Sequence, residues 1–156
     1  MNEGTVEGRL AGLGLTLPPM TPPGGVFVPY VQTGNLLYLS GAGPDQPGYT
    51  SPKGKVGADV TLAQAQEAAR YTALRLLASA KDALGSLERV RRVVKLLGMV
   101  NCTPEFDQTP QVINGCSELF VAVFGDAGRH ARSAVGFVTL PNQIPVEIEA
   151  IFEVAS

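Results

Sequence analysis

Tryptophan is absent from this chain, histidine occurs once and cysteine twice, and each scarcity removes a class of function. Cys102 and Cys116 sit far apart, with no CxxC pair and no histidines grouped near them. That pattern predicts neither a zinc site nor a disulfide framework, so no metal is expected, and it suits a reducing compartment. Charged residues make up only 17% of the 156 positions and the net charge is −2, so no basic field exists to draw in a nucleic-acid backbone. The densest basic run, Arg89, Arg91, Arg92 and Lys95, reads as a solvated strand edge. No apolar run approaches the ~20 residues that cross a bilayer. The first residues lack the basic start and apolar core of a secretory signal. A cytoplasmic protein with no membrane or nucleic-acid partner is the expectation. The low charge also leaves room for a surface covered by another subunit.

What is present is apolar content, 45% of the chain, in patterns that alternate between helix and strand periods. Residues 1–25 read as an N-terminal arm. Val6, Leu10 and Leu13 have helical spacing, Gly14 supplies a stop, and the following Pro/Gly-rich run from Leu17 to Gly25 forbids regular structure. Residues 26–156 then form one domain. Val26–Gln32 and Leu36–Ser40 read as strands joined at Thr33-Gly34-Asn35, and 43–58 as a long Gly/Pro-rich loop. Thr61 with Gln64 makes a capping box for a helix whose stripe runs through Leu62, Ala65, Ala69, Ala73, Leu76, Ala80 and Leu84 to Gly85. Val90–Asn101 is apolar on both faces apart from Lys95, as a strand covered on each side is. A second helix takes Thr109 as N-cap and Pro110 at its first position. It buries Val112, Cys116, Leu119, Phe120 and Val123, and it carries Gly115 where another backbone can approach. Ala131–Leu140 and Val146–Ala155 are the last strands, the final one strictly alternating. The order ββαβαββ predicts an α+β fold: a mixed β-sheet with both helices on one face.

Chemistry is sparse. On the penultimate strand Arg132 shares a face with Ala134 and Gly136, which leaves room above a guanidinium whose planar fork suits a carboxylate. The plainer alternative is an arginine locked to Glu147 or Glu149 with no ligand. His130 reads as an exposed turn residue. Gly41-Ala42-Gly43 lacks the strand–GxGxxG–helix setting of a dinucleotide site.

Three blocks together resemble a known family. Gly34-Asn35-Leu36-Leu37-Tyr38-Leu39-Ser40-Gly41 looks like its early hairpin. Arg132-Ser133-Ala134-Val135, Leu140-Pro141 and Val146-Glu147-Ile148-Glu149-Ala150 look like its C-terminal signature. Leu84-Gly85-Ser86-Leu87 and Val93-Val94-Lys95 fall where the family ends its first helix and starts its next strand. On these residues the chain, over about 24–154, resembles the reactive-intermediate deaminases (YjgF-type, also described as L-PSP endoribonucleases), as a divergent, longer member. The resemblance implies a chorismate-mutase-like fold, a homotrimer with clefts between subunits, and cofactor-independent hydrolysis of imines and enamines such as 2-aminoacrylate to keto acid and ammonia. It assigns Arg132 to the carboxylate of a small metabolite and Glu147 to the attacking water. Ser40, Gly41 and Asn114 line the pocket, and Phe27 stands where the family has a tyrosine. Ala134 stands where a cysteine is common, so the pocket is more apolar than usual. A non-catalytic trimer that binds a small carboxylate ranks second. An endoribonuclease or translation inhibitor ranks third, because the chain is acidic. If the last two strands pair as a hairpin closed near Asn142 and Gln143, Arg132 lies roughly 20 Å from Glu147 at ~3.3 Å per residue. The two then serve one pocket only through another strand order or, by preference, across a subunit boundary.

Overall fold

The structure is a computed structural model and describes residues 4–156. Its elements are α1 (Val6–Gly12), β1 (Tyr30–Thr33), β2 (Leu36–Ala42), α2 (Leu62–Leu84), β3 (Val90–Asn101), α3 (Thr109–Phe124), β4 (Ala131–Phe137) and β5 (Val146–Val154). Five strands form one mixed sheet in the order β1-β2-β5-β3-β4, with only β3 and β4 parallel. The expected α+β architecture, a mixed sheet with its long helices on one face, is what the chain adopts.

The final strand sits at the centre because its alternation demands cover on one side. Val146, Ile148, Ala150, Phe152 and Val154 are all buried beneath the helices, while Glu147, Glu149, Ile151 and Glu153 point away. Each large apolar side chain so buried contributes about 1.5–3 kcal/mol. Phe152 meets Phe120 and Phe124 of α3 edge to face, with ring centroids 5.6 and 6.0 Å apart. The capping box on α2 is formed as expected, Thr61 Oγ1 accepting from Gln64 N and Gln64 Oε1 from Thr61 N. Gly85 ends that helix in the left-handed conformation. Gly115 of α3 lies directly on α2: a methyl group there would overlap the Gln66 carbonyl oxygen and come within 2.9 Å of its carbon. The glycine is what lets the two helices touch backbone to backbone.

Several expectations are corrected. The first strand begins at Tyr30, not Val26, because Pro29 has no amide to donate. The preceding residues are held instead by Ser40, whose N–H donates to the Pro29 carbonyl and whose hydroxyl donates to the Val28 carbonyl. Thr109 does not cap α3. It lies inside the helix, and its hydroxyl donates to the Ala134 carbonyl at 3.0 Å, tying the helix start to β4. The last two strands do not form a hairpin. A tight turn at Pro141–Gln143, with Asn142 and Gln143 at positive φ, carries the chain across β3, so β5 inserts between β2 and β3 while β4 becomes an edge. β3 is covered on one face only. Leu96, Gly98 and Val100 lie under the helices, whereas Leu97 and Met99 face outwards and are half-buried.

The arm is more than a lead-in. Thr5 caps α1, and Val6 and Leu10 are buried in the main core, where α1 packs against α3. The long loop is also built in. Val56 bridges to Cys102 with its side chain fully buried, Tyr49 stacks on Tyr71 with 3.7 Å between centroids, and Asp45 accepts from the amide and hydroxyl of Ser51. The sheet's helix-free face carries Val31, Tyr38, Val135 and Phe137, all exposed, the last two at 42% and 41%. No helix of the described residues is long and apolar enough to cross a membrane.

Candidate functional site

The residues singled out from sequence come together in two groups, not one. The first surrounds a cavity of about 340 Å3 at the edge that β2 exposes where β1 stops. Phe27, Ser40, Gly41 and Glu147 line it, with the Pro-rich segment 18–24 as one wall and α2 as another. Gly41 and Glu147 are in contact across neighbouring strands, and a Cβ on Gly41 would fall 2.6 Å from Glu147 Oε2. The position tolerates no side chain while the carboxylate stays where it is. Glu147 is half-buried, and burial, reinforced by the neighbouring Glu149, raises its pKa above the ordinary carboxylate range. Among the described residues it forms no ion pair, so its oxygens are free to act on a ligand or water.

The second group lies on the other edge and the other face. Arg132 points into the helix layer beside α3, where Nη1 donates to Asn114 Oδ1 at 2.8 Å and to Ser117 Oγ at 3.1 Å. The expected alternative, an arginine locked to Glu147 or Glu149, does not occur. With both Nη1 hydrogens engaged, Nε and Nη2 have no partner among the described residues, and these two nitrogens form the side-on fork that takes a carboxylate. Arg132 stands opposite Leu96 of β3, and Glu147 opposite Met99 on that strand's far side. Two strand spacings and three residues separate them, roughly 14 Å between backbones. Their side chains also leave the sheet in opposite directions. Within one chain they do not meet.

Ser117 and His130 are partners the sequence reading missed, and His130 is not the exposed turn residue expected. His130 Nδ1 faces the Gly128 carbonyl at 2.7 Å, which only a protonated Nδ1 satisfies. Nε2 is then the acceptor, and the Ser117 hydroxyl donates to it at 2.9 Å while accepting from Arg132. Burial lowers the His130 pKa, with the Arg132 charge adding to the effect, so the ring is neutral at pH 7. This relay fixes the guanidinium from behind. Its one sequence signal is weak, a serine three residues after Asn114 on the same helix face.

Ala134 and Gly136 follow Arg132 along the helix face of β4, as expected. Cys102 packs against Gly136, where a Cβ would lie 2.7 Å from its Sγ. Both cysteines are free, and burial raises the pKa of each, which leaves them un-ionised packing residues at neutral pH. No cluster of metal-ligating side chains occurs among the described residues.

Residues 7–146 match the model of the family described as YjgF/chorismate mutase-like, "putative endoribonuclease". The chain belongs to the YjgF/chorismate mutase-like family. Protein TCP17 of Trypanosoma cruzi is 42% identical over 151 residues, covering 96% of this chain and 94% of that one. Among solved structures, the protein Atu1372 of Agrobacterium tumefaciens is 48% identical, with a TM-score of 0.88 over 96% of this chain and 92% of that one. TdcF of Escherichia coli, solved with bound serine, is 25% identical, with a TM-score of 0.56 over 90% and 94%. The chain is thus much nearer in shape to Atu1372 than to TdcF, as a divergent member of the YjgF family should be.

Proposed function

We propose that the chain hydrolyses imines or enamines of small carboxylic acids, in clefts of a homotrimer that join the Arg132 side of one subunit to the Glu147 side of the next. The observation that carries this reading is the sorting of the site residues. A carboxylate fork stands ready on the edge strand β4 and an unpaired, half-buried carboxylate on the central strand β5 and the opposite face, so neither side is a complete site alone. The apolar, helix-free sheet face supports assembly, because exposed Val135, Phe137, Tyr38 and Val31 are covered when copies pack face to face. TdcF with bound serine supports a small amino-acid-like ligand in this family.

In the proposed reaction the Arg132 fork binds the substrate carboxylate and sets the imine carbon beside Glu147 of the neighbouring subunit. Glu147 takes a proton from water as the oxygen bonds to that carbon. It returns that proton to nitrogen and, as the C–N bond breaks and the carbonyl forms, takes up the hydroxyl proton, which then passes to the departing ammonia, giving the keto acid and ammonium. Iminium carbons are already electrophilic, so positioning and one acid/base group suffice. A trimer that binds the carboxylate without turning it over is favoured by one observation. Phe27 supplies a ring but no hydroxyl to the cavity. Release of ammonia from enzymatically generated 2-aminoacrylate, at a rate above the spontaneous one, separates the two. RNA cleavage gains no support from an acidic chain.

Subunit mixing tests the shared cleft. Sedimentation equilibrium should give the mass of a trimer, and Arg132→Ala and Glu147→Gln chains, each inactive alone, should regain part of the activity when exchanged into mixed trimers. A monomer at micromolar concentration, or no recovery in trimers shown to exchange, refutes the arrangement. The pH profile tests Glu147 separately. The base must be ionised, so activity should fall as pH drops through its raised pKa, placing the acid limb above the ~4.3 of a free glutamate. Glu147→Gln should remove the activity across the profile.

A further inference from the structure

The cavity beside Glu147 holds a second guanidinium that the proposed reaction leaves idle. Arg75 projects from α2 into the same space, one helical turn before Ser79, which also lines it. Its Nη1 donates to the Asp45 carbonyl oxygen at 2.6 Å and its Nη2 to Thr21 Oγ1 at 3.0 Å. Both acceptors are neutral, so they orient the fork without cancelling its charge. The two carboxylates that line the cavity do not pair with it. Asp45 directs its carboxylate to Lys53 at 2.6 Å and to Ser51, and Glu147 has no ion pair among the described residues. Arg75 itself has none either, and it is half-buried. A cation held partly out of water and left without a counter-charge is costly, and an anionic ligand relieves that cost.

From this geometry we infer that Arg75 receives a second, distal carboxylate of the substrate, so that the site prefers dicarboxylic imino and keto acids to monocarboxylic ones. The inference rests on the reading above, in which a neighbouring subunit's Arg132 holds the first carboxylate and Glu147 faces the reacting carbon. Arg75 and Glu147 line the same cavity of about 340 Å3, a volume that admits a four- or five-carbon diacid. A monocarboxylate leaves Arg75 as it stands in the free protein, bonded to Asp45 O and Thr21 Oγ1, and gains nothing there, whereas a diacid adds a charge-assisted pair.

Isothermal titration of the full chain with 2-oxoglutarate and 2-oxobutyrate provides the test. The native protein should bind the diacid at least about tenfold more tightly, in line with a charge-assisted hydrogen-bonded pair. Arg75→Met should erase that ratio while changing 2-oxobutyrate affinity less than about twofold, and Arg75→Lys should keep part of it. Thr21→Val, which removes only the bond to the arm, should leave the ratio intact. Equal affinities in the native protein, a ratio that survives Arg75→Met, or a ratio lost equally in Thr21→Val each overturn the inference. The first two outcomes leave the Arg132 reading standing if Arg132→Ala weakens binding of both acids by about a hundredfold. Unchanged affinity of Arg132→Ala for both acids, or binding of neither by the native protein, overturns that reading and this one with it.

Discussion

Arg132→Ala should lower both turnover and keto-acid affinity by about a hundredfold while leaving the fold and assembly intact. The size follows from losing charge-assisted hydrogen bonds to a carboxylate, worth about 1.5–3 kcal/mol where water is excluded. The fold should survive because Arg132 is half-buried on an edge strand. Its removal frees only Asn114 and Ser117, and both reach water there. Arg132→Lys should recover little. A lysine on this strand carries one charged head and cannot satisfy Asn114 and Ser117 while also presenting a planar pair of donors to a ligand. Titration calorimetry against 2-oxobutyrate and an ammonia-release assay read the two effects directly. Unchanged affinity in the alanine variant would falsify the clamp.

A loss of similar weight, in stability this time, is expected from the smallest possible substitution at the helix contact. Gly115→Ala adds one methyl group where the Gln66 backbone already sits. On an exposed helix face the same change would stabilise by up to about 1 kcal/mol, because alanine is the better helix former. Here the new carbon meets main-chain atoms that no rotamer change can move, so α2 and α3 must separate. Both helices carry fully buried residues at this layer, Ala69 and Cys116 among them, and parting them opens the core. Overpacking of that kind costs about 3 kcal/mol, and a chemical-denaturation midpoint should show it. A midpoint equal to that of the native chain would mean the helices have slack at this contact.

The local rules that made the elements were all present in sequence. The capping box at Thr61 and Gln64, the apolar stripe of α2 and the alternation of β5 each depend on neighbours within a few positions. Such patterns are read from spacing alone. Where a purely local rule was misjudged, a competing bond explains it. Thr109 has the chemistry of an N-cap, but its hydroxyl found the Ala134 carbonyl, a partner from another strand. Pro29 pushed the start of β1 four residues later than the apolar run suggested, since a missing amide outweighs hydrophobic pattern at a strand start. The sequence also singled out Arg132, Asn114, Ser40, Gly41, Phe27 and Glu147 through a resemblance carried by three short blocks.

Only the tertiary structure decided how those residues divide. Strand order is a long-range property, fixed by which apolar face best completes the core. β5 has the longest such face, apolar at five successive alternate positions from Val146 to Val154, and it takes the centre while β4 lies at the edge. That choice puts Arg132 on the edge strand and Glu147 on the central one, on opposite faces, a strand order that spacing in the sequence could not disclose. The relay from His130 through Ser117 and the placement of Arg75 beside Glu147 are likewise invisible in spacing. Each joins elements whose approach is set by packing, and a lone histidine or a helix arginine carries no pattern of its own. The sequence determined the parts and their chemistry by local physics. Burial of the core, acting between parts, decided which of them share a cavity.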